Sequence, residues 1–207
     1  MTDRPTVFIV DDDAAVREGL SRLVRSAGYP VECFETAGAF LETWRDGRPG
    51  CLVTDIRMPG MSGLDLQERI RAQGSSIPTI VLTGFGDVPG AVRALKGGAL
   101  DFLQKPFEPD VLLVRIAEAL KKDARVREAS ARAAEVRSRL TKLTPREREV
   151  MAHVIEGKAN KVIALELGIS ERTVELHRGR VMRKVGARSV AQLIRQVQSR
   201  ADEAERD

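Results

Sequence analysis

Five short apolar runs, each followed by a segment of helical period, fill the first ~120 residues of the chain. The runs are TVFIV, VECF, CLVT, TIVLT and LDFL, and they are rich in β-branched residues. The segments between them are Ala14–Ser26, Ala37–Arg45, Gly63–Ala72, Val88–Lys96 and one that begins near Pro109. Runs this apolar leave neither face to water, so they read as strands buried on both sides by the helices that join them. The alternation predicts an α/β fold, a doubly wound five-stranded parallel sheet. Ligands of such sheets gather outside the carboxyl ends of the strands. The residues that end the runs are therefore the first candidates for chemistry.

The pattern changes at Leu120. Residues 120–141 hold no Gly or Pro and many helix formers, which predicts a helical linker over 122–140 continuing the fifth helix. Its Val126, Ala129, Ala133, Val136 and Leu140 give a thin apolar stripe, able to pair with another helix or simply to ride on a solvated spacer. Beyond Thr141 only helices are legible. Thr144 is the expected N-cap of the first, with Pro145 at N1, Glu147 at N3 and Gly157 as its stop. Asn160 to Leu167 is a short helix ended by Gly168. Ser170 caps a longer one that stops at Gly186, and Ser189 caps a fourth. The expected organisation is a domain over 1–121, the linker, a small all-α four-helix domain over 141–200, and a disordered tail over 201–207.

Charge divides the same way. Residues 1–108 carry 12 Lys/Arg against 15 Asp/Glu, whereas 139–200 carry 14 against 6. An acidic front and a basic back point to different partners, with nucleic acid the candidate for the second. No apolar run approaches the ~20 residues that span a bilayer. The apolar start is too short for a signal peptide, and two cysteines make no disulfide framework. The expected setting is the cytoplasm, with no membrane partner.

The first run ends in Asp11 and Asp12 and the third in Asp55. With these strands adjacent, three carboxylates meet at one edge and repel unless a cation joins them. Mg²⁺ takes oxygen ligands and is commonly held by one or two carboxylates together with phosphate oxygens, so the cluster reads as a metal cradle. The fourth run ends in Thr83 and the fifth in Lys105. A carboxylate, a cation, a hydroxyl and an ammonium around one point describe phosphoryl transfer. Asp55 is then the nucleophile that becomes an aspartyl phosphate, Lys105 offsets charge, and Thr83 hydrogen-bonds a phosphoryl oxygen. Asp13 reads as a helix N-cap instead.

The motifs VDDD, TDIRMPGMSG, LTGFGD and DFLQKPF resemble those of two-component response regulator receiver domains, over residues 1 to about 121. The resemblance implies a flavodoxin-like sheet of order 2-1-3-4-5, Asp55 as phosphoacceptor, and Asp11 and Asp12 as acidic-pocket residues. It maps the Mg²⁺ ligands to Asp12, Asp55 and the main-chain carbonyl of Arg57, with Asp11 beside them. It makes Thr83 and Phe102 a switch pair and allows a cis bond at Lys105-Pro106. Arg57 and Phe85 are expected to hang over the phosphoryl group, where an apolar Phe85 slows hydrolysis.

The basic end has a helix-turn-helix layout. Ile163, Ala164, Leu167, Ile169, Val174, Leu176 and Val181 are the expected small core. A helix fits the major groove, and flanking Arg and Lys neutralise phosphates. The expected DNA-binding residues are Lys161, Arg172, Thr173, Glu175, Leu176, Arg178, Arg180 and Lys184. His153 and His177 lack a metal partner. With LTPREREV upstream, this end resembles the LuxR-type DNA-binding domain, and the whole chain resembles FixJ/NarL-type transcriptional regulators. That implies a sensor histidine kinase as phosphodonor, a double-stranded DNA operator, and RNA polymerase as a further partner. It also implies a homodimer formed on phosphorylation through the Val88–Lys105 face. The chain is not expected to be an enzyme beyond slow autodephosphorylation: a phosphatase would want a second acid two residues after Asp55, where Arg57 stands. The other rival is a DNA-binding regulator with a phosphorylation-independent receiver.

Overall fold

The computed structural model describes residues 4–84 and 88–204, and of residues 88, 89, 91 and 198–204 the backbone alone. Its strands are β1 (Thr6–Val10), β2 (Val31–Phe34), β3 (Gly50–Asp55), β4 (Thr79–Thr83) and β5 (Asp101–Gln104). Its helices are α1 (Ala14–Ser26), α2 (Ala37–Thr43), α3 (Gly63–Ala72), α4 (Val88–Lys96), α5 (Pro109–Thr141), α6 (Pro145–Ile155), α7 (Asn160–Leu167), α8 (Glu171–Val185) and α9 (Val190–Ala204). One compact unit runs to Arg127 and a second begins at Glu128.

The five strands form one parallel sheet in the order β2-β1-β3-β4-β5. Alternate residues of a strand face opposite layers, and the two cores follow that rule. Val7, Ile9, Val53, Ile80 and Leu82 pack with Leu20, Val24, Leu112 and Ile116 on one face. Phe8, Val10 and Leu52 pack with Phe40, Trp44, Leu66 and Ile70 on the other. Helix α2 stops at Thr43, two residues short of the expected Arg45. Trp44 turns to an extended backbone there and lays its ring against Phe8 and Phe40. Burying an apolar side chain is worth about 1.5–3 kcal/mol, more than two further helical residues at a frayed end return.

Helix α5 continues unbroken through the expected linker. Where it leaves the first unit, the buried Asp123 accepts the Gly50 N–H at 3.0 Å and pairs with Arg127 at 2.8 Å; Arg127 also donates to the Gly47 carbonyl. The root of the helix is thus tied to the start of β3.

In the second unit the caps are as the spacing predicts. Thr144 and Glu147 form a reciprocal capping box with Pro145 behind it, and the Ser170 hydroxyl accepts the Thr173 N–H. Gly168 ends α7 in the left-handed region at φ 64°, which costs an L side chain strain and glycine none. The core holds Leu143, Val150, Val154, Ile163, Ala164, Val174, Val181, Val185 and Leu193, with Leu167 and Ile169 partly buried against it. Leu176 is a correction: it is 52% exposed. Two residues along a helix turn it ~200°, so a residue two beyond the buried Val174 faces away. The tail also differs, since α9 reaches Ala204; residues 205–207 lie outside the described residues.

Candidate functional site

Strand register assembles the acidic site. Val10 lies opposite Thr54, which brings Asp11 level with Asp55. Asp55 lies opposite Leu82, and Thr83 opposite Gln104, so Thr83 and Lys105 fall within one rung of the acids. The backbone just past β3 is held close by Gly63, the first residue of α3. A Cβ there would come within 2.1 Å of the Asp55 carbonyl oxygen. The Lys105-Pro106 bond is cis.

The Lys105 ammonium bridges two carboxylates, donating to Asp11 Oδ2 at 2.8 Å and Asp55 Oδ1 at 2.6 Å. The other oxygen of each acid is fixed by main chain: Asp11 Oδ1 accepts the Asp13 N–H at 3.0 Å and Asp55 Oδ2 the Arg57 N–H at 2.6 Å. Arg17 donates to the Asp11 carbonyl at 2.7 Å; nothing in the sequence but its place on α1 links it to the site. Asp11 is 1% exposed, and the Asp55 side chain keeps 14%. Burial by itself would lower the Lys105 pKa, but the hydrogen bonds and charges of Asp11 and Asp55 outweigh it and hold the ammonium above the usual lysine value. Thr83 is buried, its hydroxyl on the Gly84 carbonyl. Asp13 is the N-cap of α1, accepting from Ala15 and Val16.

The Lys105 ammonium lies between two of the strand-tip acids, Asp11 and Asp55. Asp12 is exposed, and no group of three or more acidic, His or Cys side chains among the described residues lies close enough to hold a metal. The remaining donors still suit Mg²⁺, which needs only one or two carboxylates beside waters and phosphate oxygens. The guanidinium of Arg57 lies against Gly84, at the Thr83 end of the site. Phe85 lies outside the described residues. Phe102 is partly buried against Ile56, Leu64, Val81 and Ala94.

The second unit presents α8 as its basic surface. Arg172, Glu175, Leu176, Gly179, Arg180 and Arg183 are exposed, as is Lys161 on α7. Three residues expected at DNA also have partners within the unit. Lys184 donates to Glu147 at 2.6 Å and to the Lys142 carbonyl. Its bond to Glu147, with the Thr144 N–H, holds that carboxyl down at about 2. Thr173 meets the Ser170 hydroxyl at the cap. Arg178 donates to Asn160 Oδ1 at 2.6 Å. The turn between α7 and α8 and the Ser170–Thr173 contact read from local spacing; the Arg178 and Lys184 pairs, 18 and 37 residues apart, do not, because nothing local marks them.

A 2-1-3-4-5 parallel sheet with acids and a lysine at its carboxyl edge defines the receiver class of fold, here carried on one chain with a helix-turn-helix. The response regulator receiver domain family matches residues 7–117, and the luxR family of bacterial regulatory proteins matches residues 141–197. Transcriptional regulatory protein FixJ of Bradyrhizobium diazoefficiens is 45% identical over 195 residues, covering 94% of this chain and 95% of that protein. Response regulator protein TodT of Pseudomonas putida is 45% identical, covering 99% and 91%. The structure of the response regulator StyR is similar at TM-score 0.86 and 48% identity, covering 95% of this chain and 99% of that one. Full-length FixJ from B. japonicum is similar at TM-score 0.58 and 42% identity, covering 97% and 98%. The chain belongs to the FixJ-type two-component response regulators, which join a receiver to a LuxR-type DNA-binding domain. Phosphorylation-dependent regulation of transcription is typical of that family, and its receiver implies a sensor kinase upstream. No helix among the described residues is long and apolar enough to cross a membrane.

Proposed function

We propose that Asp55 receives a phosphoryl group from a sensor histidine kinase and that this switches dimerisation and sequence-specific DNA binding. The observation that carries the reading is the Lys105 ammonium held between Asp11 and Asp55. A carboxylate oxygen of Asp55 attacks phosphorus and the bond from phosphorus to the donor's histidine nitrogen breaks, that nitrogen keeping the electron pair. Lys105 offsets charge gathering on the phosphoryl oxygens, and its donors are aimed before the reaction begins. The Thr83 hydroxyl turns from the Gly84 carbonyl to a phosphoryl oxygen. One or two of the carboxylates Asp11, Asp12 and Asp55, with the Arg57 carbonyl, would hold Mg²⁺, which when bound neutralises phosphoryl charge. Arg57 overhangs the site and offers no general base, so autodephosphorylation is slow.

Movement of Thr83 draws Phe102 further inward and repacks the surface over Val88–Lys105. Val92 and Leu95 of α4, with Val111 and Val114 of α5, are 41–55% exposed and supply the apolar contact for a second copy. Pairing two copies raises effective concentration at a two-half-site operator. RNA polymerase, met in the cytoplasm on that DNA, is the further partner.

Sedimentation of the full chain with and without beryllofluoride and Mg²⁺ tests the reading. Dimerisation on addition of the mimic, abolished in Asp55→Asn, is expected. A chain that no small phosphodonor labels, or that dimerises equally as Asp55→Asn, overturns it.

A further inference from the structure

Among the described residues of the second unit, five Lys or Arg side chains are half-buried: Arg139, Arg146, Lys158, Arg178 and Lys184. Four of them sit on a carboxylate. Arg139 pairs with Glu135, Arg146 with Glu149, Lys158 with Glu166 and Lys184 with Glu147, all at 2.6–2.7 Å. Arg178 differs. Its Nη1 donates to the neutral carboxamide of Asn160 at 2.6 Å, and among the described residues it has no ion pair. The guanidinium is thus fixed in direction while its charge stays uncompensated. A guanidinium has five N–H donors; one is used here. Holding a rotamer-rich side chain in place before binding lowers the ordering cost of binding.

The position of the pair is also informative. Arg178 lies one turn along α8 from the exposed Glu175 and beside the exposed Gly179, at the flank of the outward face. Asn160 is the first residue of α7. The pair therefore ties the helix that enters the groove to the helix that crosses the backbone. An arginine at such a flank meets phosphate more readily than base edges, and phosphate contacts fix register without carrying sequence.

We propose that Asn160 is a positioning residue for DNA binding, orienting Arg178 so that its remaining donors clamp one backbone phosphate. The proposal rests on the DNA-binding reading of this unit and goes beyond it by assigning Asn160 a role and Arg178 a ligand class, the phosphodiester.

The test uses the full chain activated with beryllofluoride and Mg²⁺. Binding is measured to duplexes selected by the wild type from a random pool, and to duplexes of random sequence, over a range of salt. Asn160→Ala and Arg178→Ala are each expected to weaken binding to both kinds of duplex by about ten-fold, the scale of one hydrogen bond to a charged group. Each should reduce the slope of log affinity against log salt by about 0.9. The double variant should bind no worse than Arg178→Ala alone. Arg178→Lys should behave like Asn160→Ala, a charge without the directed fork, and should be indifferent to adding Asn160→Ala. Losses that multiply in the double variant, an unchanged salt slope in Asn160→Ala, or a loss confined to selected duplexes would each overturn the proposal. A lowered melting temperature with an unchanged slope would make Asn160 structural only and overturn it as well. A wild-type chain that binds no duplex removes the DNA-binding reading itself, which the random-sequence arm reveals separately.

Discussion

Replacing Lys105 with methionine keeps the length and apolar body of the side chain and removes its charge. Asp11 Oδ2 and Asp55 Oδ1 reach the same nitrogen at 2.8 and 2.6 Å, so they stand no more than 5.4 Å apart. At that separation two carboxylates repel by about 3 kcal/mol in a medium of effective dielectric about 20. Neither swings away freely, since the second oxygen of each is held by the Asp13 or Arg57 N–H. A loss of about 3 kcal/mol in folding stability at neutral pH is expected, the scale on which breaking a buried pair from one side acts. Urea denaturation of both proteins at neutral pH, with and without Mg²⁺, measures it. The loss tracks the missing positive charge between the two acids. It should shrink with Mg²⁺, which replaces the missing charge by mass action on the native state. Adding Asp11→Asn to Lys105→Met should restore most of the stability. A Lys105→Met chain as stable as the wild type, or a loss indifferent both to the metal and to Asp11→Asn, would refute the reasoning.

Three further outcomes follow from the packing. Gly63→Ala should cost about 1–3 kcal/mol by melting and slow labelling of Asp55 by a small phosphodonor, since the new Cβ would lie 2.1 Å from the Asp55 carbonyl oxygen and 2.8 Å from Thr54 Oγ1. The Glu147 carboxyl is held at about 2 instead of its usual 4.5, first by Lys184 and then by the Thr144 N–H. A lowered native pKa stabilises above the unfolded value and is lost as pH falls through the native one. Stability of the second unit should therefore fall between about pH 4.5 and pH 2, and Glu147→Gln should flatten that slope in acid melts. A thiol reagent should label the exposed Cys33 and spare Cys51 until unfolding, because burial and then the charge of Asp123 push the Cys51 thiol up to about 12; native labelling at both sites contradicts this.

Most of the fold is readable from short spacings. The box at Thr144 and Glu147 joins residues three apart, and the Asp13 cap reaches Ala15 and Val16. Such signals survive in a sequence because both partners lie within one turn. Leu176 shows where residue type deceives: it is apolar and lies two residues from the buried Val174, yet its angle on α8 turns it out to solvent. The site divides in the same way. That Asp55, Thr83 and Lys105 end strands is visible in the chain. That the Lys105 ammonium joins Asp11 to Asp55 is not visible, because those partners lie 94 and 50 residues away. Lys184 and Arg178 look alike as letters on a basic helix. Their neighbours separate them, one spent on a buried glutamate and the other left with its charge by an amide.

The sequence by itself determined which segments are strands and helices, where each helix begins, and which residues stand at the strand tips. Hydrophobic period and capping act over a few residues and need no knowledge of the rest. Only the tertiary structure decided which tips are neighbours, which cation lies between which acids, and which basic side chains keep their charge for a partner. Those outcomes depend on electrostatic distances between residues far apart in the chain, and such distances exist only once the sheet order and the helix crossings are fixed.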